Sequence, residues 1–253
     1  MKVTIAQAPV TASMKDNLGA VLKLVESNAG TDLIIFPECV LSTYEPQDKD
    51  YIKNIDFAQL SKSHEACREM AVLHKTSIII GSIDKVNEKY YNTAFIFHAN
   101  GTIEKYHKAN LAFLDKSFFS AGGSLPVFEI AGVKVGIQIC REIMYPEQWR
   151  LLAIKGAQLL VHITDCIEKD KYSLWKSYLV SRAAENQRYV FSVNNAHKTQ
   201  GSPTIAIDPD GKILEEIHSE KAESRQIELD MSKPRDYYLN QRRTDLVQIT
   251  GTN

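Results

Sequence analysis

One cysteine in this chain stands where a thiol can react. Val133, Val135, Ile137 and Ile139 alternate as a half-buried strand does, and Cys140 ends the run. Pro146 suits the first turn of a new helix, because it lacks the N–H that a helix start leaves unpaired anyway. Glu147, Trp149, Arg150, Leu151, Leu152 and Ile154 continue that helix and Gly156 ends it. Cys140 therefore sits on a strand-to-helix turn, which exposes a side chain and points backbone N–H groups at whatever bonds to it. Such a thiol can act as a nucleophile if a neighbouring base takes its proton. A buried structural cysteine is the other reading, and this stretch alone admits both. Two more chemistry-bearing residues follow strands. Glu38 comes after an apolar run at 33–36, and Lys108 after a strand ending near Tyr106. Side chains at the ends of neighbouring strands can converge on one cleft. Taken singly, Glu38 reads as a solvated loop acid and Lys108 as a surface lysine; co-occurrence with Cys140 is what changes that.

The elements that must position these side chains are legible along the chain. Residues 2–8 read as a strand. Ser13-Met14-Lys15-Asp16 has the form of a capping box, Leu18, Val21, Leu22 and Val25 fall at helical spacing, and Asn28-Ala29-Gly30 closes the helix. The run at 33–36 is apolar throughout, as a strand covered on both faces should be. Residues 41–57 read as a loop, 60–75 as a helix and 77–84 as a strand. Strands at 90–98 and 102–106 form a hairpin around Ala99-Asn100-Gly101. Residues 107–126 lack a period and contain Gly122-Gly123 and Pro126, a length that suggests a functional loop. Strands at 127–130 and 133–139 turn at Ala131-Gly132. A strand at 158–163, a long helix at 170–187 and strands at 189–194, 204–207, 212–217 and 224–230 complete the series before an irregular tail. Alternation of strands and helices, with inserted hairpins, predicts α/β layering around a mixed sheet in one domain.

Composition narrows the partners. The chain has 253 residues, 44% hydrophobic and 24% charged, with a net charge of −1, so it shows no electrostatic footprint for nucleic acid or an anionic membrane. The four cysteines, at 39, 67, 140 and 166, form no C-x-x-C and no paired His-Cys spacing. That argues against zinc and against a disulfide framework, and for a reducing compartment. The longest apolar runs are strand-length, and a cytoplasmic location is expected.

Three segments carry a resemblance. Phe36-Pro37-Glu38, Tyr106-His107-Lys108-Ala109-Asn110-Leu111 and Gly136-Ile137-Gln138-Ile139-Cys140-Arg141-Glu142 resemble the signatures of the nitrilase superfamily of carbon–nitrogen hydrolases. Pro146-Glu147 with Arg150, Gly156-Ala157, Arg182-Ala183-Ala184-Glu185-Asn186 and Asp208-Pro209-Asp210-Gly211 are further matches, so the likeness covers nearly the whole chain in order. It implies an α/β fold, a four-layer α-β-β-α sandwich, as a single domain over 1–253. It also implies a homodimer or higher homo-oligomer joined through helices near the nucleophile, with the tail 231–253 a candidate for that interface. The implied activity needs no metal and no cofactor. It is hydrolysis of a non-peptide carbon–nitrogen bond in a small linear amide, releasing ammonia and a carboxylic acid through a cysteine thioester. By the same resemblance Cys140 is the nucleophile and Glu38 the general base and acid. Lys108, with the backbone N–H of Arg141, stabilises the oxyanion. A nitrilase or an N-carbamoyl-amine hydrolase would use the same triad; a non-catalytic metabolite-binding member is the remaining alternative, though it has no need of all three residues.

The chain departs from the family pattern in places that bear on substrate. Many members carry a second glutamate seven residues before a glycine; here Asp115, seven before Gly122, takes that place one methylene shorter. After the cysteine, Arg141-Glu142 replaces the Tyr-Asp of many amidases and the Trp-Glu of nitrilases, so the acid is kept as a supporting residue and the aromatic is not. Met144 stands where some carboxylate-selecting relatives carry arginine. On an extended chain Arg141 should face away from the cleft that Cys140 faces. Asp165, at the end of the strand that borders the family's pocket, is a candidate for a cationic or hydrogen-bond-donating substrate, or else caps the following helix or meets solvent. Cys39 is expected to pack into the core because its neighbour Glu38 points the other way. Cys67 and Cys166 read as packing residues, His107 and His162 as structural histidines, and Trp175, Arg182, Glu185 and Asn186 as supporting residues of the long helix.

Overall fold

The computed structural model describes residues 1–249; the last four residues of the tail expected at an interface lie outside the described residues. The first half runs β1 (Lys2–Gln7), α1 (Met14–Ser27), β2 (Leu33–Ile35), α2 (Tyr51–Asn54), α3 (Phe57–His74), β3 (Ser77–Val86), β4 (Lys89–Phe97) and β5 (Ile103–His107). The second runs β6 (Val127–Ile130), β7 (Val133–Ile139), α4 (Pro146–Ile154), β8 (Leu159–Ile163), α5 (Tyr172–Asn186), β9 (Tyr189–Val193), β10 (Thr204–Ile207), β11 (Ile213–Ile217), β12 (Glu223–Glu228) and α6 (Tyr237–Asn240). The strands form two six-stranded sheets, β12-β1-β2-β3-β4-β5 and β11-β10-β9-β8-β7-β6. Both are mixed: β1, β2 and β3 are parallel, as are β7, β8 and β9, and the remaining pairs are antiparallel.

The period-2 alternation of strand side chains explains why the central strands are apolar at every position. Leu33 and Ile35 of β2 point into the core between the sheets, with Ile79, Val135, Ile137, Val161 and Phe191. Ile34 and Phe36 point the other way, into the layer where α1 and α3 bring Val21, Val25, Leu60 and Cys67. On the second sheet Leu160 and Val190 meet Trp149, Leu152, Leu179 and Ala183 of α4 and α5. Helix, sheet, sheet and helix thus stack as the four layers the resemblance implied. The α1 start follows its local chemistry, with the Ser13 side chain accepting from the Asp16 N–H. Within the expected loop 41–57 a single short helix, α2, forms around the buried Tyr51. In the long connection after β5, a 3-10 turn at Leu114–Ser117 is the regular piece.

Two glycines permit the close approaches on which the site depends. A Cβ on Gly81 would overlap the backbone of Glu38 and Cys39, and one on Gly122 would overlap the His107 carbonyl. Each takes part in a backbone hydrogen bond that ties the site segment down: Gly81 N–H to Pro37 O at 3.0 Å and Gly122 N–H to Lys108 O at 2.9 Å.

Candidate active site

Glu38 lies just beyond β2 and Lys108 just beyond β5 in one sheet, while Cys140 follows β7 and Asp165 follows β8 in the other. The four meet where the two sheets face each other. Glu38, Lys108 and Asp115 are fully buried. The Lys108 ammonium donates to Glu38 Oε1 at 2.8 Å and to Asp115 Oδ2 at 2.7 Å. Asn92 Nδ2 also donates to Glu38 Oε1, at 2.7 Å, and the Asp165 N–H donates to Glu38 Oε2 at 3.0 Å. Asp115 Oδ1 accepts from Tyr44 Oη at 2.6 Å. The shorter aspartate therefore still reaches the lysine, carried inward by its 3-10 turn.

These contacts set the charges. Burial works against the Lys108 ammonium, but Glu38, the Cys140 thiolate and Asp115 outweigh it and hold lysine well above its usual range. Burial and the Glu38 charge push the Cys140 thiol well up, against the opposing pull of Lys108. At neutral pH the cysteine is thus a thiol beside a carboxylate that can take its proton. Burial, then the neighbouring Glu38 and Asp115 charges, push the Tyr44 hydroxyl up as well, so it stays a donor.

The Cys140 turn is built for exposure. Cys140 has φ 49°, in the left-handed region that side chains other than glycine rarely adopt, and it opens a 3-10 turn over Cys140–Met144. His162 fixes that turn by donating from Nε2 to the Cys140 carbonyl at 3.0 Å, while its Nδ1 accepts from Ser192 Oγ at 2.9 Å. Burial lowers the His162 pKa to about 4, which keeps the ring neutral and supports this tautomer. Glu142 is fully buried and joins two of the three site segments. Its Oε1 accepts from the Ala109 and Asn110 N–H groups at 2.7 and 3.0 Å, behind Lys108, and its Oε2 from the Ile139 N–H at 2.7 Å, ahead of Cys140. Tyr106 Oη donates to the same carboxylate at 2.8 Å.

Cys140 opens on a cavity of about 550 Å³. Its lining includes Tyr44, Phe113, Arg141, Asp165, Lys171 and Trp175. Among the described residues no cluster of His, Cys, Asp and Glu could hold a metal ion.

Several sequence expectations need correction. Arg141 lines the cavity and is solvent-exposed, because Cys140 is not extended and the alternation argument fails at a left-handed residue. Met144 does not line the cavity; it packs against the cluster of Trp149 and Trp175 at the end of the 3-10 turn. Asp165 neither caps α5 nor stands free in solvent, since its Oδ1 accepts from Asn195 Nδ2. Burial and the adjacent Glu38 charge push its pKa well up. Cys39 is buried as expected, but it too is left-handed, at φ 50°, so alternation is not the reason. Cys166 is both packed and on the cavity wall, as is Trp175. His107 pairs with Asp84 Oδ2 at 2.9 Å; Arg182 pairs with Glu185 Oε1 at 3.0 Å and donates to the Ile143 carbonyl at 3.1 Å, bracing the turn that Cys140 opens. Sequence reading missed Asn92, Tyr44 and Tyr106. The signal available for Asn92 was a polar residue inside a strand run that is otherwise apolar toward its end.

Comparison with known proteins agrees with this architecture. A probable nitrilase from Schizosaccharomyces pombe is 30% identical over 258 residues, covering 94% of each chain. A 2-oxoglutaramate amidase from Bacillus subtilis is 32% identical over 194 residues, covering 73% of each. A Cys-to-Ala mutant of the amidase from Nesterenkonia sp. AN1, solved in complex with butyramide, superposes with a TM-score of 0.84 at 22% identity, covering 97% of this chain and 95% of that one. The profile of the carbon–nitrogen hydrolase family matches residues 2–237, and with that coverage the chain belongs to this family of enzymes.

Proposed function

We propose that the enzyme hydrolyses a small linear amide to ammonia and a carboxylic acid through a thioester on Cys140. The observation that carries this reading is the contact set of Glu38, which holds Lys108 while standing beside a neutral thiol at the mouth of a cavity. Glu38 takes the thiol proton as sulfur attacks the amide carbon. The oxygen that gains charge meets the Lys108 ammonium and the Arg141 N–H. As the intermediate collapses, Glu38 returns the proton to nitrogen and ammonia leaves. Water then gives a proton to Glu38 and attacks the thioester, the carbon–sulfur bond breaks to release the acid, and Glu38 returns the proton to the departing sulfur to restore the thiol. Asp115, itself bonded by the Tyr44 hydroxyl, accepts from Lys108, and Glu142 keeps the lysine and cysteine segments in register.

Amide is preferred over nitrile because two of the relatives above are named amidases. The one named a probable nitrilase keeps nitriles as the second reading, and N-carbamoyl amines follow. Ammonia release from a panel of amides, nitriles and carbamoyl compounds is the test. Cys140→Ala should abolish turnover with the fold unchanged by circular dichroism, and a thiol-directed electrophile should label Cys140 selectively. Retention of most amide activity by Cys140→Ala would sink the mechanism; absence of both turnover and selective labelling would favour a metabolite-binding member.

For substrate charge we take Asp165 over Arg141, because the Asp165 N–H holds Glu38 while Arg141 is exposed, and a carboxyl pushed well up by burial and Glu38 offers hydrogen bonds and no cation to pair a substrate carboxylate. Neutral or amine-bearing amides should then outperform amides of equal length ending in carboxylate. A matched set in wild type and Asp165→Asn decides it, and a clear preference for the carboxylate member points to Arg141. The same reading includes a cytoplasmic location and a homodimer or higher homo-oligomer. Exposed Tyr237, Tyr238, Leu246 and Val247 make the tail a candidate contact. Light scattering on the full chain and on a form ending at residue 236 tests that.

A further inference from the structure

Thr164 is fully buried just beyond β8, yet among the described residues its hydroxyl has no oxygen or nitrogen partner, and the group that feels it is the Cys140 thiol. Buried hydroxyls are normally satisfied. Its backbone N–H is spent on the Val193 carbonyl at 3.0 Å, so the residue is locked in place. Ile163 of β8 pairs with Ile139 of β7 in parallel register, which sets Thr164 and Cys140 at the next step of neighbouring strands. The residue on its other side is Asp165, whose N–H holds Glu38. The hydroxyl is thus a hydrogen-bonding neighbour of the nucleophile, one residue before the N–H that holds its base.

We propose that Thr164 is a further catalytic residue, a hydroxyl that donates to Cys140 Sγ as the thiol ionises. The inference rests on the thioester reading above. In the resting enzyme the sulfur carries a proton and is a weak acceptor. When that proton passes to Glu38, the sulfur becomes an anion and accepts from the hydroxyl, which keeps its own proton throughout. The interaction is thus weak in the ground state and strengthens on the way to the transition state, the condition under which binding energy lowers a barrier. The thiol's environment agrees in direction: the Thr164 hydroxyl and Lys108 favour ionisation, while burial, Glu38 and Cys166 oppose it.

Alkylation of Cys140 by allyl bromide, which has no carbon–nitrogen bond, followed by peptide mapping from pH 5 to 10.5, reads thiolate formation without amide turnover. Thr164→Val should slow alkylation at pH 7 by about tenfold and move its pH dependence up by about one unit. Amide kcat should fall with it while KM changes little, and Thr164→Ser should restore both. Thermal unfolding checks that the valine variant is folded, and Thr164→Ala, which only removes atoms, carries the same readout if it is not. An unchanged alkylation profile in a folded variant overturns the proposal, even if kcat falls, because that would mark a structural or oxyanion role. Failure of the wild type to alkylate selectively at Cys140 overturns the thioester reading itself and is seen before any variant is made.

Discussion

The Lys108 ammonium is fully buried, so its charge depends on the carboxylates around it. Asp115 supplies one of the two and receives a hydrogen bond from Tyr44 in return. Asp115→Asn should therefore lower turnover at least tenfold, about 1.4 kcal/mol of barrier, with KM less affected. Steady-state kinetics on the best amide check this, and an effect within error would make Asp115 an ordinary loop acid. Glu38 and Lys108 act through the same hydrogen bond, so Glu38→Gln and Lys108→Met together should lose little beyond the worse single variant. Additive losses would show that the two contribute to separate steps.

At the scale of elements, Glu142 is the tie between the loop after β5 and the turn after β7. Its carboxylate accepts three backbone N–H groups and the Tyr106 hydroxyl, all buried or partly so. Burial pushes its pKa up, while the N–H groups of Asn110 and Ile139 pull it down. Glutamine keeps one acceptor oxygen and turns an NH₂ toward donors. Glu142→Gln should cost about 2–4 kcal/mol, since it leaves at least one buried N–H without a partner next to a lost charge-assisted bond. Urea unfolding measures it; a change under 1 kcal/mol would mean that the loop and turn hold register without this carboxylate.

For the whole molecule, two buried histidines contribute a part of the stability that acid removes, against the raised carboxyls of Asp165 and Glu142, which work the other way. Burial lowers His162 and His64 to about 4 in the fold, against about 6.5 in the unfolded chain. Between those values the unfolded state binds more protons, so stability is fully present above about pH 6.5 and falls as pH drops toward 4. For fully buried His162, which faces the Cys140 carbonyl, Ser192 and the Lys108 charge, the loss amounts to about 3 kcal/mol. Melting temperatures from pH 7 to pH 4 should decline, and His162→Gln should flatten the decline. An equally steep fall in that variant would place the acid sensitivity in carboxylates instead.

The sequence by itself determined which side chains stand at strand ends and that the strands form sheets covered on both faces. Those properties are local: Leu33-Ile34-Ile35-Phe36 alternates between two apolar layers whatever surrounds it, and Cys140 is placed by a strand on one side and Pro146 on the other. Tertiary structure alone decided what those side chains touch. Arg141 turned toward the cavity because Cys140 is left-handed, a backbone state that the residue type does not announce. Met144 went to the helix layer for the same reason, since the chain coils immediately after the cysteine. Asn92, Tyr44 and Thr164 join the site across strands and loops far apart in sequence. Their partners exist only once the two sheets have met, and no residue pattern within either sheet encodes that meeting.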